Sequence, residues 1–351
     1  MKNLFCTLFL IIFFSASVLA EGISPGKMII TGFSGQLPSD PRVIKLKKMI
    51  DQGDIGGIIL FKRNISTKKQ LTSLVSYLTK DTPIFVAIDH EGGIVNRLTH
   101  PSFDLKTPSP KRFCTLDKTT QTNYANSIAK TLKEIGINMN LGGVVDIAPL
   151  VQPSSICRYR RCFGDNNASV TQCNQVLFDA HNDAAIYFAL KHFPGHGSTP
   201  IDSHYYLPDI TKHHSNYDYM PYHGLIKDND SPYIIVMVGH LMDKSVDDKL
   251  PASLSNQHLR VLKESLNFKG LIITDDLNMG ALYKVSKDKV EIAKKAVLAG
   301  NDLLLYEFLS FDDINAINQA LQQDATISQQ IQDNIQHSLL KIQDNLSLNV
   351  R

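Results

Sequence analysis

The chain has 351 residues and not one tryptophan. A carbohydrate site, which often stacks a ring on indole, would here have to use Tyr, Phe or hydrogen bonds. Charge of one sign is also lacking. Lys and Arg nearly balance Asp and Glu, for a formal net charge of +2. That balance excludes a strongly basic nucleic-acid binder and favours no acidic partner, so a neutral ligand is the expectation. No CxxC pair occurs, which excludes the common zinc clusters. No GxSxG elbow and no HExxH helix occur, which removes two large hydrolase classes. No internal repeat, low-complexity linker or second-domain signature interrupts the chain. No apolar run approaches the roughly 20 residues of a membrane span.

What is present begins with an apolar run from Leu4 to about Phe14, after one lysine. Small residues follow, and Val18 and Ala20 suit a signal peptidase. Residues 1–20 are therefore expected to be a cleaved export signal, placing the mature protein, 21–351, in the periplasm or medium with no membrane contact. Cys6 lies too early for lipoprotein processing. Cleavage leaves Cys114, Cys157, Cys162 and Cys173. An even count in an exported chain permits disulfides. Cys157 with Cys162 or with Cys173 is the pairing suggested by position, because all three lie near one loop.

Eight β-rich runs recur with helical stretches between them: 28–35, 55–61, 83–89, 137–147, 184–193, 233–240, 270–276 and 302–308. Most are continuously apolar, as strands buried on both faces should be. Stretches such as "STKKQLTSLVSYLTK" show helical spacing. The alternation predicts βαβ units and a parallel sheet, and eight of them predict a single-domain (β/α)8 barrel. A doubly wound sheet competes. Against it, Asp89, Asp146, Lys191, His192, His240, Asp275 and Glu307 all fall at or just past strand C-terminal ends. In a barrel these ends ring one mouth. The tail from Phe311 to about Leu346 reads as helical and is expected to pack on the barrel's outside. A monomer is expected, with the tail as an alternative dimer surface.

Three stretches carry chemistry. "GLIITDDLNM" ends the seventh run with Asp275 and Asp276. One carboxylate can face the mouth as base, ligand or nucleophile, and Asp275 is taken as that one. Asp276 is read as a cap for the next helix. "IDHEGGIVNRL" sets Asp89 and Arg97 across a Gly-Gly turn, suited to accept from and donate to ligand hydroxyls, with Glu91 behind them. "KHFPGHGSTPIDSHYYLP", residues 191–208, places Lys191, His192, His196, Asp202 and His204 on a segment too rich in Pro and Gly for regular structure. Pro194 and Gly195 prevent His192 and His196 from sharing a helical face as zinc ligands. Asp202-Ser203-His204 cannot place a histidine between serine and aspartate as a triad requires. Asp and His two apart can still meet and orient the imidazole for proton transfer.

Together with "GGIILFKRNI", "RCFGDN", "VMVGHLMD" and "PASLS", these stretches resemble the signature of bacterial β-N-acetylglucosaminidases of glycoside hydrolase family 3. The matches keep the family's order from about residue 28 to 308. The resemblance implies a single barrel, no cofactor and no metal. It implies Asp275 as nucleophile, His204 as acid/base with Asp202 as its partner, and Asp89, Arg97, Arg161, Lys191 and His192 as sugar-binding residues. Departures are His90 where glutamine is usual, Gly142-Gly143 where Ala-Pro is common, and Ile94 for a frequent arginine. The export signal also departs from many members, which act in the cytoplasm.

The implied reaction removes a terminal N-acetylglucosamine from wall fragments or chitin-type oligosaccharides, in two steps with retention. The Pro/Gly segment is expected to act as a hinge that carries Asp202 and His204 over the bound sugar. Phosphorolysis is an alternative within the same chemistry, since an imidazole would not repel an incoming anion. A carbohydrate-binding protein without turnover is the alternative of another class. A disulfide at Cys157 or Cys162 is expected to fix the "CRYRRCFG" loop and pre-orient Arg161.

Overall fold

The computed structural model describes residues 24–148, 154–227, 229–327 and 329–348. The expected export signal at 1–20 lies outside the described residues. Eight short strands form the core: β1 Ile29–Thr31, β2 Gly57–Leu60, β3 Phe85–Ile88, β4 Met139–Val144, β5 Tyr187–Phe193, β6 Ile234–Val238, β7 Ile272–Thr274 and β8 Leu304–Tyr306. Every residue in them is buried, which explains the unbroken apolar runs. Each sits inside its expected run but is shorter, because the outer residues of each run turn into the loops.

The strands are parallel, in the order β7-β6-β5-β4-β3-β2-β1-β8. The ring closes between β7 and β8. Ile273 bridges Leu303, and Thr274 N–H donates to Leu303 O at 3.0 Å. The (β/α)8 barrel expected from the sequence is the fold, and the open-sheet alternative is excluded.

Helices follow each strand: α1 Pro41–Asp51, α2 Lys68–Thr79, the single turn α3 Pro110–Phe113, α4 Lys118–Ile135, α5 Asn167–Asp183, α6 Met220–Ile226, α7 Asn256–Arg260, α8 Lys289–Ala299, α9 Phe311–Ile327 and α10 Gln329–Leu348. Local sequence sets their ends. Asp40, Asp117, Asn166 and Asp288 each accept a first-turn N–H at an N-terminus. Gly136 and Gly300 end α4 and α8 at φ 91° and 99°, a conformation that glycine takes without strain.

The tail is helical as expected, but it does more than cover the outside. Lys341 Nζ donates to Gly270 O before β7 at 2.7 Å, and Tyr187 Oη at the start of β5 donates to Asn345 O at 2.6 Å. Helix α10 therefore lies across the N-terminal end of the barrel. The opposite end is left open for a site.

Candidate active site

A cavity of about 460 Å³ opens at the C-terminal ends of the strands. Asp89, Arg97, Arg161, Lys191, His192, His204 and Asp275 all line it. Of the predicted residues only Asp202 is not in its wall, and Asp202 touches His204.

Asp275 leaves β7 with its N–H bonded to Val238 O at 2.9 Å. Its Oδ1 accepts the Asp276 N–H at 2.9 Å. Burial works to raise its pKa. The imidazoles of His192 and His240 and that N–H outweigh burial, and the carboxyl is held at about 2. The group is an anion at neutral pH.

Asp276 behaves differently. Its Oδ1 accepts from Asn278 N–H at 3.0 Å and Glu307 N–H at 2.8 Å. It braces the turns after β7 and β8 and caps no helix; Asp288 caps α8. The expectation of a structural role holds, and that of a helix cap is corrected. Burial outweighs these donors and raises its pKa to about 6. His240, which has no pocket contact of its own, supports the same turn. Its Nε2–H donates to Asp276 O at 2.8 Å, leaving Nδ1 for the Ser253 hydroxyl at 2.7 Å. Burial lowers the pKa of this imidazole.

The charged wall is a web. Lys191 is buried at the end of β5, with Nζ 3.0 Å from Asp89 Oδ1 and 2.8 Å from Glu91 Oε1. Burial disfavours its charge, but Asp89 and Glu91 prevail and its pKa is raised. Arg161 donates twice to Glu91, Nε to Oε2 and Nη2 to Oε1, each at 2.8 Å. The fully buried Glu91 is thus the shared anchor of two cations. Arg97 Nη2 stands 3.6 Å from Asp89 Oδ2, and its buried Nε has no partner among the described residues.

Asp146, which sequence reading placed at a strand end without a role, organises the neighbouring wall. Its Oδ2 holds His192 Nδ1 at 2.7 Å, and its Oδ1 accepts the His196 N–H at 2.6 Å. The first contact leaves His192 Nε2 free for the cavity. The signal available in the sequence was an aspartate closing an otherwise apolar run.

The segment after β5 is docked. Asp202 Oδ1 lies 2.7 Å from His204 Nδ1 and also accepts the His204 N–H at 3.0 Å, so the expected dyad forms. The His204 ring is otherwise exposed, at 63% of its side-chain surface. Gly280 N–H donates to His204 O at 2.9 Å and Ala281 N–H to Ser203 O at 3.2 Å, tying the dyad to the loop that follows Asp275. No group of three or more His, Cys, Asp or Glu among the described residues is arranged to hold a metal.

Two disulfides are present, Cys157–Cys162 and Cys114–Cys173. The first is one of the two pairings expected and closes the loop that carries Arg161. The second, between α5 and the end of α3, was not anticipated, because residues 59 apart in sequence give no local signal. Ser155, two residues before that closed loop, donates its N–H to Thr199 O at 2.8 Å, so the approach to the loop braces the dyad segment.

Residues 35–340 match the family described as Glycosyl hydrolase family 3 N terminal domain. "Beta-hexosaminidase A" of Pseudoalteromonas piscicida is 31% identical over 263 residues, 68% of this chain and 43% of that protein. "Beta-hexosaminidase" of Actinobacillus pleuropneumoniae is 32% identical over 264 residues, 72% of this chain and 73% of that one. Among solved structures, a glycoside hydrolase family 3 beta-N-acetylglucosaminidase from Paenibacillus sp. superposes with a TM-score of 0.78 at 28% identity. That superposition covers 93% of this chain and 62% of the other. The chain therefore spans under two thirds of the Pseudoalteromonas and Paenibacillus proteins.

Proposed function

The chain belongs to glycosyl hydrolase family 3, and on that premise we propose that it is a retaining exo-β-N-acetylhexosaminidase, with Asp275 as nucleophile and the His204–Asp202 dyad as acid/base. The observation that carries this reading is the pairing of an ionised Asp275 with a histidine held by Asp202, both reaching one cavity.

In the first step an oxygen of Asp275 attacks the anomeric carbon and forms a covalent glycosyl-enzyme. The bond to the leaving oxygen breaks, and His204 gives that oxygen its proton. Nδ1 is engaged by Asp202, so Nε2 is the nitrogen that transfers it. In the second step water attacks the same carbon, His204 takes its proton, and Asp275 is released. The usual retaining pair is two carboxylates about 5 Å apart; here an imidazole stands in for one of them.

Asp89, Arg97, Arg161, Lys191 and His192 are assigned to the sugar's hydroxyl and acetamido groups. The partnerless Arg97 Nε and the free Nε2 of His192 support that assignment. Export to the periplasm or medium is part of the same reading, and the two disulfides support it. The natural substrate would then be a wall-derived fragment or a chitin-type oligosaccharide met outside the cytoplasm.

The test is turnover of a chromogenic N-acetyl-β-glucosaminide, with proton NMR of the first-formed anomer. The β-anomer and an adduct on the Asp275 peptide from a slow fluorosugar are expected. No turnover sinks the reading, an α-anomer sinks retention, and an adduct on Asp276 sinks the assignment. A sugar phosphate formed in phosphate buffer would identify a phosphorylase. Comparing muropeptides with chitobiose distinguishes the substrate classes.

A further inference from the structure

Most large apolar side chains left exposed in this protein lie on loops that leave the C-terminal ends of the strands, on the face that holds the cavity. Two of the most exposed are consecutive, Tyr205 at 70% and Tyr206 at 68%, and they follow His204 directly. Adjacent exposed apolar side chains on a cavity-bearing face are the kind of surface that marks a ligand-binding site.

Their backbone is not loose. The N–H groups of Tyr205 and Tyr206 both donate to Asp202 O, at 3.1 and 3.0 Å. The carbonyl of His204 accepts from Gly280. A Cβ on Gly280 would stand 2.8 Å from the carbonyl oxygens of His204 and Tyr205, so the two loops meet at backbone distance. The rings are therefore carried on a fixed turn next to the dyad, with their faces uncovered.

We propose that Tyr205 and Tyr206 form the platform for the leaving-group sugar, across the scissile bond from the N-acetylhexosamine. The proposal rests on His204 as the acid/base. An acid must stand within about 3 Å of the oxygen it protonates, so the leaving ring begins beside residue 204. The two residues that follow are then in place to meet that ring. Tyrosine suits the task, having a flat apolar ring, a polar tip and few rotamers to freeze. In a chain without tryptophan, it is the largest aromatic available. The occupant is a second sugar of a β-linked glycan, not the peptide of a wall fragment.

The experiment compares Tyr205→Ala/Tyr206→Ala with the parent on two substrates. One is N,N′-diacetylchitobiose. The other is N-acetyl-β-glucosaminyl fluoride, whose leaving group has no ring. The double variant should lose roughly ten-fold or more in kcat/KM on the disaccharide, on the scale of two lost aromatic contacts, and stay within about two-fold on the fluoride. Tyr205→Phe and Tyr206→Phe should keep most of the disaccharide activity. Equal losses on both substrates, or none on the disaccharide, overturn the platform. So does a loss confined to peptide-bearing fragments. Failure of the parent on both substrates would sink the hydrolase reading instead, so the two failures are told apart.

Discussion

His196 Nε2 lies 3.0 Å from the hydroxyl of Ser203, the residue between the two members of the dyad. His196 is fully buried, and burial lowers its pKa to about 4, so it is a neutral spacer at working pH. Its N–H reaches Asp146, which also holds His192, and its Nδ1 stands 3.4 Å from the Ser155 hydroxyl, two residues before the Cys157–Cys162 bridge. One imidazole thus links the dyad segment to the Asp146–His192 pair of the cavity wall.

His196→Leu should therefore act through His204. On alkyl glycosides and oligosaccharides, which need the proton, kcat should fall about ten-fold or more, within the 10² to 10⁴-fold that general acid help supplies. On activated aryl glycosides the loss should be much smaller. Ser203→Ala should show the same pattern more weakly, and His204→Ala more strongly. A loss independent of leaving group would mean that His196 only supports the fold.

The adjacent carboxylates should respond oppositely to amidation. Asp275→Asn should abolish turnover and leave folding nearly intact. Asp276→Asn keeps an oxygen to accept from Asn278 and Glu307, so activity should survive within about ten-fold. Its stability should change with pH. Asp276 has a folded pKa of about 6, above the unfolded 3.8. The folded state thus binds the proton more tightly, and this group's cost is absent below about pH 4 and full above about pH 6. The asparagine variant should be more stable than the parent at pH 8, by up to about 3 kcal/mol, melting higher there and converging with it near pH 4. Equal melting at pH 8 would show that the buried charge costs nothing.

The strand–helix alternation was legible because each strand is buried on both faces and so is uniformly apolar. The dyad was legible because Asp202 and His204 are local to one loop. Asp146, His196 and the Cys114–Cys173 bridge were not, because their partners come from other strands and loops. Glu91 illustrates the limit well. Its place behind Asp89 could be read from the turn, but its double engagement with Lys191 and Arg161 joins the loops after β3 and β4 to the end of β5. Asp276 was read as structural on the right physical ground and assigned the wrong acceptor role, since Glu307 lies 31 residues away.

The two disulfides should separate stability from binding. Cys114–Cys173 closes a long loop and Cys157–Cys162 a short one. Chain entropy gives about 4 kcal/mol for the first and about 2 kcal/mol for the second. Removing the long bridge should lower Tm with KM unchanged. Removing the short one should cost less stability and raise KM more than it lowers kcat, because Arg161 loses its fixed loop. Full alkylation of all four cysteines in the folded, exported protein would show that neither bridge exists.

Glu91→Gln tests the charged wall. The carboxylate has no exposed side-chain surface, and two cations bond to it. Burial acts to raise its pKa, but Arg161 and Lys191 outweigh burial and hold it well below the usual 4.5. Its folded pKa is depressed, so its contribution is full above pH 4.5 and is lost as pH falls below that value. Glutamine keeps the size but strips both cations of a counter-charge. Breaking a buried pair in this way costs about 3–5 kcal/mol. Melting temperature should drop by several degrees at pH 7, and the variant's stability should depend less on pH below 4.5 than the parent's. Lys191 would keep Asp89, but Arg161 would lose the partner that aims it, so KM should rise more than kcat falls. A variant with parental Tm and parental KM would show that the Glu91 web neither holds the wall nor orients its cations.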